Sequence, residues 1–95
     1  MLDKITISID EIIEESKLKH PSYIYLHGEC LVFAKKLKEK LGEGEIKYLP
    51  LFNHFVLKVN GKIYDIRGNV TNIYKNENIK SLKDVPSSII SKYKS

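Results

Sequence analysis

Apolar residues recur along this chain with two distinct periods, and the longest regular stretch is helical. Cys30, Phe33, Ala34, Leu37 and Leu41 fall at i, i+3, i+4, i+7 and i+11, one apolar stripe on a helix of about residues 29–41. Lys35, Lys36, Lys38 and Lys40 crowd its later turns, where the helix dipole favours cations, and Gly42 fits the left-handed position just past its end. Ile9, Ile12 and Ile13 share a second helical face. Ser8-Ile9-Asp10-Glu11 before them has the form of a capping box, which predicts a helix over about 9–18. Residues 3–7 alternate as a short strand or extended lead-in would, His20-Pro21-Ser22 breaks the helix, and 21–28 read as a loop or extended segment.

Further along, the period shortens to two. Ile46–Leu49 is a short strand stopped by Pro50, and His54–Val59 and Lys62–Arg67 flank Asn60-Gly61, the strongest short hairpin signal. Residues 70–80 are read as another edge strand or an irregular loop, Ser81-Leu82-Lys83-Asp84 as a second capping pattern, and Pro86–Tyr93 as a terminal helix. The pattern predicts a single α+β domain over residues 1–95. In it the 29–41 helix packs on an antiparallel sheet of three to five strands, with the N-terminal helix alongside.

The hairpin fixes a register. A two-residue turn at 60–61 sets Val59 opposite Lys62, Leu57 opposite Tyr64, Val56 opposite Asp65 and His54 opposite Arg67. His54, Val56 and Lys58 then share a face with Ile63, Asp65 and Arg67, and His54 and Asp65 become diagonal neighbours, roughly 5–8 Å apart at Cβ. Phe55, Leu57, Val59, Tyr64 and Ile66 form the opposite face, a surface for the first helix to cover.

Cys30 belongs to the first turn of its helix, where unpaired N–H groups stabilise a thiolate. A helix packed on the His54 face would bring that thiol towards the imidazole, and Asp65 would hold the ring's tautomer and orientation. The Cys30 N–H would then be a donor to a developing oxyanion.

This set resembles the papain-like cysteine peptidase superfamily, in the permuted branch of transglutaminase-like, arylamine acetyltransferase-like and NlpC-type domains. The matching text is Gly28-Glu-Cys-Leu-Val-Phe-Ala-Lys-Lys-Leu37 followed by Asn53-His-Phe-Val-Leu-Lys-Val-Asn-Gly-Lys-Ile-Tyr-Asp65-Ile-Arg-Gly68. The resemblance implies a minimal papain-like core and a hydrolase or acyltransferase, whether peptidase, amidase or deamidase, working on an amide or thioester bond of a protein or peptide. It implies Cys30 as nucleophile, His54 as general base and acid and Asp65 as the orienting acid, with no cofactor and no metal. Candidates for a second oxyanion donor lie upstream, at Tyr23, Tyr25 and His27.

Composition changes this picture in four ways. One cysteine makes no internal disulfide, which points to a reducing cytoplasm. No apolar run is long enough to span a membrane, and the acidic N-terminal stretch is not that of a targeting peptide. The net charge is +4, but only one of the 16 basic residues is an arginine, Arg67, and the lysines are interleaved with acids. That describes a solvated lysine surface rather than a nucleic-acid face. The richness in Ile, Lys and Asn, with almost no Ala, is that of an AT-rich genome, such as a low-GC bacterium or its phage.

Other assignments stay open for the same residues. Cys30 packs equally well as a small hydrophobe, Asp65 has Arg67 as an alternative partner, and His27, Cys30 and His54 are metal-ligand types. The dispersed tyrosines fit the edge of a small core. The alternative function is a non-catalytic inhibitor or regulator on the same scaffold, phage-encoded and acting on a host defence complex.

Overall fold

The computed structural model describes residues 3–17, 19 and 29–92. The break at His20-Pro21-Ser22, the 21–28 segment with Tyr23, Tyr25 and His27, and Tyr93 lie outside the described residues.

Helix α1 runs Lys4–Ser16, five residues earlier than the sequence pattern suggests. The cap is not Ser8. Asp3 is the N-cap, its Oδ1 accepting from the Thr6 N–H at 2.7 Å, and Ser8 is buried in the helix interior. The apolar stripe therefore starts at Ile5 and continues through Ile9 and Ile12, so burial overrides the strand preference of the β-branched run at its start. Helix α2 is Cys30–Leu41, with Glu29 as N-cap and Gly42 closing it at φ 74°, its N–H donating to the Lys38 carbonyl. Its stripe is buried as predicted, while Lys35, Lys36 and Lys38 are exposed.

Strand β1 is Glu45–Leu49, followed by a 3-10 turn at Pro50–Phe52; β2 is His54–Val59 and β3 Lys62–Asp65. Asn60 and Gly61 both have positive φ, 51° and 79°, as a two-residue hairpin turn requires. The observed pairs Leu57↔Tyr64, Lys58↔Ile63 and Val59↔Lys62 are the predicted register. β3 stops at Asp65 rather than Arg67, because the Asp65 carboxylate takes the Arg67 N–H at 2.8 Å and turns the chain. A two-residue β4, Gly68–Asn69, folds back on β3. Residues 70–80 hold a short helix α3, Thr71–Tyr74, and lead into a two-residue edge strand β5, Lys80–Ser81. A 3-10 turn, Leu82–Asp84, and α4, Ser87–Lys92, follow.

Among the described residues the sheet is antiparallel with order β4-β3-β2-β1-β5. Both α1 and α2 pack on one face, against Ile46, Tyr48, Phe55, Leu57, Val59 and Ile66. This corrects one expectation: α2 covers the Phe55 face, not the face that carries His54. The other face has its own smaller core of Leu49, Val56, Ile63, Val70 and Tyr74, covered by the 70–79 segment. At about 1.5–3 kcal/mol per fully buried aliphatic or Phe side chain, the two clusters are the main source of stability. A partly exposed Lys40–Glu15 ion pair at 3.0 Å between the helices adds little.

Candidate functional site

Three buried groups meet where α2 begins and β2 begins. Cys30 is the first residue of α2 and is 1 % exposed. Its Sγ accepts from the Phe55 N–H at 3.4 Å, so the sulfur reaches the backbone of β2 from the helix side. His54 opens β2 at 4 % exposure, and Asp65 closes β3 at 1 %. The sulfur and the ring thus start from opposite faces. They come together because His54 stands at the very end of its strand, beyond the last observed pair with β3, Leu57↔Tyr64.

The diagonal relation predicted for His54 and Asp65 is realised as a bond between His54 Nε2 and Asp65 Oδ2 at 2.9 Å. Nδ1, on the other side of the ring, is buried without a hydrogen-bond partner among the described residues. Burial alone would lower the ring's pKa. The Asp65 hydrogen bond, the neighbouring Cys30 thiol and the charge of Asp65 outweigh it and raise the ring from 6.5 to about 9. At neutral pH the imidazole is therefore held protonated. Burial works to raise the Asp65 carboxyl, but hydrogen bonds from His54 and Arg67 prevail and hold it below its ordinary 3.8.

Asp65 does not have to choose between its two candidate partners. Arg67 donates from Nε to both carboxylate oxygens, at 3.2 and 3.1 Å, and from Nη2 to Oδ2 at 2.6 Å, while His54 uses the same Oδ2. Arg67 Nη2 also meets the Tyr74 hydroxyl at 2.7 Å, with the guanidinium carbon 5.7 Å from that ring's centre. Tyr74 joins a small core, as expected of the dispersed tyrosines, but its contact with Arg67 escaped sequence reasoning because nothing in the irregular 70–80 stretch fixes where it lands. The only available signal was the solitary arginine two residues past Asp65.

Around the thiol, the Tyr48 ring lies 4.7 Å from Phe55, and its hydroxyl donates to Asn53 Oδ1 at 2.7 Å. Burial and the nearby Cys30 push the Tyr48 phenol up. Glu29 makes no side-chain capping bond, so the first N–H groups of α2 have no carboxylate cap from that residue. Of the metal-ligand set considered from the sequence, His27 is outside the described residues, and no group of three His, Cys, Asp or Glu among the described residues is placed to hold a metal.

Nor is any described helix long and apolar enough to cross a membrane. No curated protein and no solved structure matches the chain. The sequence profile of one family covers nearly all of it, residues 6–94, and by that match the chain belongs to the Phage YunG-like protein family.

Proposed function

We propose that this chain is a minimal cysteine-dependent acyl-transfer enzyme, a papain-like hydrolase or acyltransferase acting on an amide or thioester bond of a protein or peptide. One observation carries the reading: a buried ring has one nitrogen on a carboxylate and the other with no hydrogen-bond partner among the described residues, beside a thiol at a helix start. Leaving a polar atom buried and unpaired costs about 1–3 kcal/mol, so its presence asks for a use. Proton exchange with sulfur is that use.

The His54 ring already carries a proton on Nδ1 as the imidazolium, and Cys30, as its thiolate partner, attacks the carbonyl carbon. The carbonyl oxygen becomes an oxyanion, stabilised by the N–H of Cys30 at the start of α2. As the tetrahedral intermediate collapses, His54 returns the proton to the departing amine or thiol, leaving an acyl group on sulfur. Water, or an acceptor amine, then attacks that thioester with His54 taking its proton, and the free enzyme returns. Asp65 holds the ring so that Nδ1 faces sulfur throughout.

Iodoacetamide at pH 6 tests this. The wild-type thiol should react at least tenfold faster than that of His54→Ala. Equal rates, or a wild-type rate no faster than an ordinary cysteine of pKa about 8.5, overturn the reading.

The enclosure of the same thiol favours a second reading, together with three exposed apolar side chains, Leu51, Phe52 and Ile73, at 78, 49 and 56 %. In it the chain is a non-catalytic, phage-encoded inhibitor or regulator that binds a host protein complex. A folded Cys30→Ser variant that keeps its full effect on the partner supports this second reading, and complete loss of the effect supports the chemistry.

A further inference from the structure

We propose that Arg67 is the positioning residue of this site, its fork fixing the Asp65 carboxylate so that Oδ2 faces His54 Nε2, with Tyr74 fixing the fork in turn. The inference rests on the acyl-transfer reading for its purpose but not for its geometry. A carboxylate can turn about its bond to Cβ, and a single hydrogen bond from His54 would not stop it. Arg67 closes both oxygens at once: Oδ1 takes the Arg67 backbone N–H at 2.8 Å and Nε at 3.2 Å, and Oδ2 takes Nε at 3.1 Å and Nη2 at 2.6 Å. With the carboxylate so held, the ring meets the same Oδ2 at 2.9 Å.

The choice of residue fits the task. Of 16 basic side chains this is the one arginine, in a chain that otherwise uses lysine. A lysine brings one rotating point charge and cannot span two carboxylate oxygens and a phenol together. The guanidinium also stands at the surface end of the relay. Its side chain is 38 % exposed, whereas that of Asp65 is 2 % exposed, so replacing it removes the grip without opening a cavity in the core.

The test is the titration of the His54 ring followed by NMR in the intact chain, for wild type, Arg67→Lys, Arg67→Gln and Tyr74→Phe. With the carboxylate released, burial dominates and the ring's pKa should fall by at least one pH unit in Arg67→Gln. It should fall similarly in Arg67→Lys, which keeps the charge but not the fork, and less in Tyr74→Phe, which removes only the hydroxyl. Backbone amide spectra report that each variant is folded, and Tyr74→Phe stands in for any that is not. An unmoved ring in folded Arg67 variants, or full rescue by Arg67→Lys, overturns the proposal. The wild-type iodoacetamide rate at pH 6 separates the two ideas: if it is ordinary while the ring titrations shift, the acyl-transfer reading fails and the role of Arg67 stands.

Discussion

On the helix-covered face of the sheet, Phe55, Leu57 and Val59 meet the stripes of α1 and α2, and the cluster is hydrocarbon apart from the Cys30 thiol and the Tyr48 hydroxyl. On the other face, Leu49, Val56, Ile63, Val70 and Tyr74 make a smaller core, and a histidine and an aspartate share the interior with it. The first face stabilises chiefly by removing hydrocarbon from water, and the aliphatic side chains that do so have nothing to titrate. The second contains an ion pair whose desolvation cost can match its Coulombic gain. Buried charge is therefore a poor explanation for stability on that face, and it directs attention to chemistry instead.

The contrast is sharpest where a charge is removed. Asp65→Ala removes the acceptor that holds the ring protonated and leaves the ring and the Arg67 guanidinium without their carboxylate, which should cost about 4 kcal/mol at pH 6, measured by urea unfolding. The cost should shrink above pH 9, because the ring, raised from 6.5 to about 9, is then neutral in both folded and unfolded chains. The sign follows from the same values. Stability from the raised ring is complete below 6.5 and is lost as pH climbs through about 9. Stability from the depressed Asp65 is complete above 3.8 and is lost as pH falls below it. An identical penalty at pH 6 and pH 10 would show that ring and carboxylate are not coupled, and the two faces would no longer differ in kind.

Leu37→Ala, at a residue 0 % exposed on the apolar face, should cost about 3 kcal/mol through lost burial and an unfilled cavity. Here the expectation is the same penalty at both pH values, and a pH-dependent one would break the comparison from the other side. The smallest effect belongs to Asp3→Ala. It removes the 2.7 Å cap on Thr6 and should lower the thermal midpoint by roughly 4 °C, leaving the His54 titration where it was.

The same two faces mark what could be read from the chain. The stripe of α2, its Gly42 end and the Asn60-Gly61 hairpin were legible because each is fixed by local spacing and local backbone preference. From the hairpin register came the approach of His54 to Asp65. The side on which α2 settles was not legible. β2 is buried on both faces, with His54 and Val56 as inaccessible as Phe55 and Leu57, so alternation gives no direction. The start of α1 was hidden for a related reason, since Ile5, Thr6 and Ile7 favour strands when considered alone and become helical only because Ile5 joins the core beneath α2. Tyr74 reaches Arg67 through long-range packing that no local pattern encodes.

The turn at Asn60 and Gly61 lies on the surface, a place where chains ordinarily forgive an insertion. Here it acts as a gear. The strand that follows is geared to it with a tooth of one residue, and adding a single residue would rotate Asp65 through the sheet to the helix side, carrying Ile63 with it. Loop length, elsewhere free to drift, is in this molecule a setting that engages or disengages the acid from its imidazole.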